Sequence, residues 1–294
     1  MLAGILFAHG ETEKETRAEV FMRISQSFMP TLREVPRLKT QHQPAEAYQI
    51  RGLWTTQLSF QPNQNERQFL YTYLLIQTQN GQGCSYCPAQ LELPIELSGK
   101  DARQIEAEGP VEIALLDAIF GSFPQRPSTS WKIEGTSPEK TVMRTEIVVW
   151  EALRLLRGKD FARSRIVNVG VVGNFLAELK KLGVGELMGT DFDPALVGKT
   201  LGGIPIYSGQ RTEELVASSD LAIVTGMTLA TDTFDGILAA AKAAGTRLLV
   251  FAETGANLGP ALCQLGVDTV VGEPFPFYIF HGTSQINVFR KDGS

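Results

Sequence analysis

The chain has 294 residues, of which 43% are hydrophobic and 20% charged, and a formal net charge of −5. That length predicts two cores rather than one, and the composition excludes a disordered or fibrous chain. The longest basic run is Lys180-Lys181, too short for the clustered cations that nucleic acid demands, and no window approaches the roughly 18 apolar residues of a membrane span.

Three cysteines, Cys84, Cys87 and Cys263, are too few for a disulfide framework, which points to a reducing, cytoplasmic setting. The opening MLAGILFAHGETEKE has neither a basic n-region nor a small-residue cleavage pattern, so neither export nor membrane insertion is expected. Residues 11–28 have the spacing of a helix, and Pro30, Pro36 and Pro44 break the stretch after it into an arm or linker.

From Tyr48 the composition turns aromatic and β-branched. YQIRGLWTTQLSF, QFLYTYLLIQTQ and CSYCPAQLELPI, separated by QPNQNER and NGQG, predict a three-stranded antiparallel meander. VEIALLDAIFGSF predicts a helix stopped near Gly121 and Pro124, PQRPSTSWKIEGTSPEK a loop, and TVMRTEIVVWEALRLLRG a helix ending at Gly158 that joins the two halves. A meander followed by helices is α+β.

After Arg165 short apolar runs alternate with amphipathic helices. RIVNVGVVG, GELMGTDFDP, DLAIVTG, TRLLVFAETG and a final DTVVGE read as strands, IPIYSG as a short piece, with helices between them. This is the pattern of βαβ units forming a doubly wound parallel sheet covered on both faces.

In such sheets ligands lodge at the carboxyl ends of the strands, which selects four loops. Gly170-Val171-Val172-Gly173-Asn174 offers a close backbone approach and, at Gly173 and Asn174, a helix N-terminus for an anion. Its G-x-x-G spacing lacks the dinucleotide fingerprint, and a tight turn capped by Asn174 explains it equally well. Asp191 and Asp193 could accept hydrogen bonds from a ribose or bind a cation, unless Asp193-Pro194 is turn chemistry alone. Thr225, Gly226, Thr228 and Thr231 form the densest hydroxyl cluster, suited to a carboxylate or phosphate, although Thr231 or Asp232 could simply cap the next helix. Glu253 and Thr254 follow LLVF, and Glu253 fits a base, a metal ligand or a hydroxyl acceptor. Cys84 and Cys87 have CxxC spacing without a second pair, which favours unpaired strand thiols over zinc. Cys263, in an apolar helix, is expected in the core.

DLAIVTGMTLATDTFDGIL followed by LGPALCQLGVDTVVGE resembles the putative heavy-metal chelation family of bacteria and archaea. There a cap similar to the N-terminal domain of enolase packs on a Rossmann-like domain. The resemblance spans roughly residues 45–280. Thr225, Gly226, Thr228 and Leu229 match its TGTTL-like loop, with Met227 at the central threonine and Thr231 in place of an asparagine; Thr233 also fits. Ala252-Glu253-Thr254 stands where a Gly-Pro-Ser/Thr turn is usual. Fold class is therefore expected to be α/β, a Rossmann-like doubly wound parallel sheet preceded by a smaller α+β, enolase N-terminal-like domain. The expected division is an arm over 1–45, the cap over 46–158 and the Rossmann-like domain over 159–294.

The leading functional expectation is a cytoplasmic protein that binds a small anionic molecule or a metal complex between cap and sheet. A divalent metal would sit on Asp191 and Asp193. Alternatives are an enzyme using S-adenosylmethionine or a nucleoside, and a non-catalytic interaction domain, homodimeric through the aromatic segment EPFPFYIF unless that segment packs against the sheet edge. Neither nucleic acid nor a membrane is expected as partner.

Overall fold

The computed structural model describes residues 32–34, 40, 43–61 and 68–291. The helix expected over residues 11–28 and most of the arm lie outside them. None of the described helices is long and apolar enough to cross a membrane.

The cap opens with the meander: β1 (Ile50–Phe60), β2 (Phe69–Thr78) and β3 (Gln82–Cys87) pair antiparallel in that order. Strand periodicity sends alternate side chains to opposite faces. Leu74 and Ile76 join Ala114, Leu115, Ala118 and Ile119 of helix α1 (Gly109–Gly121) in one core, while Tyr73, Leu75 and Cys84 face the other way. Gly83 permits the close packing of α1, since a Cβ there would stand 2.1 Å from the Ala114 carbonyl oxygen. The opposite side of α1, at Ile113, Leu116 and Phe120, belongs to the core of the larger domain. Burial on both sides is why VEIALLDAIF is apolar almost all round.

The larger domain is built on a nine-stranded sheet in the order β4-β12-β11-β10-β9-β5-β6-β8-β7. Its parallel strands are β5 (Arg165–Val169), β6 (Glu186–Asp191), β8 (Ile204–Ser208), β9 (Leu221–Thr225), β10 (Arg247–Ala252) and β11 (Thr269–Gly272). Chain order reverses between β5 and β9, so these six strands follow the 3-2-1-4-5-6 winding of a Rossmann fold, with its topological switch point there. Helices α4 (Thr212–Ala217), α6 (Phe234–Ala244) and α7 (Gly259–Gln264) cover one face. Helices α2 (Ser137–Leu155) and α3 (Gly173–Lys181) cover the other. A single helical turn, α5 (Met227–Ala230), follows β9.

Three antiparallel strands escaped the sequence reading: β4 (Thr129–Ile133), inside the expected loop; β7 (Thr200–Leu201); and β12 (Ser284–Arg290), after the expected final strand. β4 pairs with β12, and α2 packs with α3 and the sheet. Residues 129–155, expected in the cap, therefore complete the larger domain. TSWKI is short and half exposed, and it becomes a strand because β12 supplies its ladder. The start of α2 was also misplaced: a capping box between Thr136 and Glu139, with Pro138 in the first turn, sets it at Ser137.

Between β11 and β12, residues 273–283 form a strap over the cap. Phe277 is 2% exposed and lies 5.0 Å from the Tyr73 ring. EPFPFYIF, for which a homodimer contact and packing against the sheet edge were alternatives, packs within the chain against the cap's sheet. Lys140, 1% exposed, pins the strap by donating to the carbonyls of Phe280 (2.6 Å) and Gly282 (2.9 Å). Lys140→Met should leave both acceptors unpaired and cost about 1–3 kcal/mol, with faster protease cleavage within 273–283. Urea melts and digestion rates matching the wild type would reject that role.

Candidate functional site

At the carboxyl end of β5 the chain turns at Gly170, whose φ of +69° is left-handed. Asn168, fully buried in β5, fastens this turn: its Oδ1 accepts from Val172 N (2.7 Å) and its Nδ2 donates to the Ile223 carbonyl of β9 (3.0 Å). Val172 is the N-cap of α3 and no side chain caps that helix, so Asn174 does not cap it and is exposed. Asp191, at the tip of β6, accepts from Val171 N (3.0 Å) and Asp193 N (2.9 Å). Asp193 accepts from Ala195 N (2.8 Å), the turn chemistry its Asp-Pro sequence suggests.

The threonine loop is largely inward. Thr228 Oγ1 donates to the Thr225 carbonyl (2.8 Å), and Thr231 Oγ1 to the Met227 carbonyl (3.2 Å). Neither Thr231 nor Asp232 caps α6, whose N-cap is Thr233. Gly226 nests against the next loop, where a Cβ would meet the Thr254 carbonyl oxygen at 2.4 Å. Thr254 itself binds the cap, accepting from Tyr86 N (2.8 Å).

Glu253, after β10, belongs to a charged cluster. Its Oε1 accepts from Arg144 Nη1 (2.6 Å) and its Oε2 from the Tyr73 hydroxyl (3.0 Å), so one carboxylate touches both domains. Arg144 also reaches Glu273 (3.4 Å) and lies 3.7 Å from the centroid of the Tyr278 ring. Its side chain is 7% exposed, that of Glu253 19% and that of Glu273 0%, which makes Glu253 the member nearest solvent. Burial raises the Glu273 carboxyl above its ordinary range and outweighs the Arg144 charge; Ser284 and Tyr278 N hold it by hydrogen bonds. Burial also raises the Tyr73 phenol, with the Glu253 charge adding to it.

A line of tyrosines links the two sides of the crevice. The Tyr86 ring stands edge-on to Tyr73, centroids 6.4 Å apart. Burial raises the Tyr86 phenol, and after Cys87 the charges of Asp191 and Asp193 add to the shift. Asp191 and Asp193 thus lie near enough for their charges to be felt at Tyr86 of the cap, and Glu253 bonds the neighbouring Tyr73.

Beneath lies a seam between the domains. Asp117 of α1 accepts from Cys84 N (2.8 Å) and Asn257 N (2.7 Å), and Gly255 N donates to the Cys84 carbonyl (3.0 Å). Burial pushes the Asp117 carboxyl up to about 7, against the pull of the bonds from Cys84 and Asn257. Cys84 and Cys87, three apart on a strand, enter opposite cores and so cannot share a zinc ion. Both are buried, as is Cys263 of α7 in the core.

Of the expected residues, Glu253 and Thr254 bond the cap, and Asp191 and Asp193 lie within electrostatic reach of its Tyr86. Thr228 and Thr231 make local structural bonds. Among the described residues no group of three or more His, Cys, Asp or Glu side chains is placed to hold a metal ion. Arg144, Glu273, Tyr73, Asp117 and Asn168 were missed. A signal existed for Arg144, which shares the buried stripe of Val148, Ala152 and Leu155 on α2.

A Rossmann-like domain whose strand-end loops are bonded to an antiparallel cap defines the class of protein. Residues 160–272 match the model of the family described as putative heavy-metal chelation. A solved protein of unknown function from the same family, from Desulfitobacterium hafniense DCB-2, superposes with a TM-score of 0.53 at 15% identity, covering 89% of this chain and 100% of that one. Another from Pyrococcus horikoshii gives 0.47 at 13% identity, covering 90% and 100%. A mandelate racemase/muconate lactonizing protein from Herpetosiphon aurantiacus gives 0.32 at 14%, covering 72% and 86%. No curated protein matches the chain.

Proposed function

We propose that this protein binds a small metal complex in the crevice between cap and sheet, with Glu253 as the residue that meets it. The observation that carries the reading is the placement of Glu253: a partly exposed carboxylate held between Arg144 and the Tyr73 hydroxyl. Asp191 and Asp193 lie toward Tyr86 on the other side. Arg144 is already shared by two carboxylates, so the crevice suits a cationic or hydroxyl-bearing ligand better than a simple anion. Two flanking carboxylates also fit a metal that brings part of its own coordination sphere, consistent with the description of the matched family. A cytoplasmic setting accords with the small number of cysteines, all three buried.

Calorimetric titration of the whole chain with nickel and zinc, each as the chloride and as the citrate complex, tests this. Wild type should bind at least one form, and Glu253→Gln should weaken it about tenfold, or about 1.4 kcal/mol. Absence of binding in every form, or equal affinity in the variant, defeats the reading.

A further inference from the structure

Thr225 ends β9 at the switch point and is 7% exposed, yet its hydroxyl has no hydrogen-bond partner. It faces the turn of the glycine loop: a Cβ on Gly170 would stand 2.2 Å from Thr225 Oγ1. Such groups are rare, because an unmade buried hydrogen bond is costly. The nine-residue helix α3 begins beside it with no side-chain cap, leaving backbone donors at its first turn.

The neighbouring strand supplies two further groups. Asp191 follows the glycine turn by about the 20 residues at which an acid meets a ribose in this fold. Each of its oxygens accepts one backbone N–H, and a carboxylate has about four acceptor sites, so capacity for a vicinal diol remains. Phe192 is 62% exposed, but its ring is laid on Gly209, where a Cβ would meet it at 2.6 Å. A fixed, exposed aromatic face of this kind can stack a base.

The same loop limits what can follow the ribose. In the dinucleotide fingerprint the second glycine lets the backbone approach the pyrophosphate. Counting from Gly170, that position is Val172 and the third is Phe175, which is fully buried with its ring 5.3 Å from that of Phe251. The Val172 side chain thus stands where that glycine would let the backbone approach a diphosphate, while Phe175 fills the helix–sheet contact.

We infer that the switch-point loops bind a ribonucleoside without a pyrophosphate, its diol on Asp191 and its base on Phe192. The site shares Asp191 with the proposed metal-complex site beside Glu253 but needs no metal to bind.

Calorimetry on the full chain with adenosine, S-adenosylhomocysteine, 2′,3′-dideoxyadenosine and NAD⁺ tests the inference. Adenosine or S-adenosylhomocysteine should bind at least tenfold more tightly than the dideoxy compound, a gap that closes in Asp191→Asn. Phe192→Ala should weaken adenosine about tenfold without moving the melting temperature. The site is overturned if neither ribonucleoside binds at millimolar concentration, if the dideoxy compound binds equally well, or if both variants keep wild-type affinity. NAD⁺ binding as tightly as adenosine overturns the exclusion of a diphosphate. Nickel binding, read separately on Glu253→Gln, keeps failure here distinct from failure of the metal reading.

Discussion

Arg144→Met should destabilise the protein by about 3–5 kcal/mol, the range for breaking a buried ion pair by removing one partner. The guanidinium serves two carboxylates, Glu253 and Glu273, with Glu273 wholly buried. Its removal strands both and leaves the Tyr278 ring without its cation. The defect should depend on pH, with a definite sign. Glu273 already titrates above its ordinary range because of burial, and Arg144 is the charge that restrains it; in the variant it should rise further. A carboxyl raised in the folded state contributes stability below its unfolded pKa and loses it as pH rises through the folded one. The gap between wild type and variant in urea melts should therefore widen from pH 5 to pH 8. Adding Glu273→Gln should recover part of the loss at pH 8. A gap independent of pH, or no recovery, would show that Arg144 stabilises the fold by packing alone.

The second large effect belongs to the seam between the domains. Asp117 is fully buried, and its two oxygens take one backbone N–H from the cap and one from the loop after β10. In Asp117→Asn the new amide opposes one of those donors, for about 1–3 kcal/mol. Here the pH dependence runs the other way. The wild-type carboxyl stands at about 7, above the ordinary 3.8 of an aspartate, so its contribution is complete below about pH 4 and fades as pH rises through 7. Asparagine has no such term, and the gap between the two proteins should narrow from pH 5 to pH 8. Hydrogen exchange at Cys84 N and Asn257 N reports the seam directly: protection equal to wild type at both amides would exclude the role.

The alternation of apolar runs with helices after Arg165 was enough to recover five of the six parallel strands and their covering, since a strand buried on both faces must be apolar throughout; β8, short and half-buried, read only as a short piece. The meander and α1 were legible for the same reason. Asp191, Asp193 and Glu253 could be named because they follow strands directly, where fold geometry puts ligands.

Other features depended on partners far along the chain. TSWKI became β4 only through the ladder of β12, some 155 residues later, and no local propensity encodes that pairing. The helical stripe that Arg144 shares with Val148 marks it as inward-facing, but its partners Glu253 and Glu273 lie more than 100 residues away along the chain. EPFPFYIF read equally as an exposed surface or a packed strap, and contact with Tyr73 decided between them. Periodicity records which face of an element is buried; what buries it, and which charges meet there, depends on chain-distant contacts that tertiary packing alone selects.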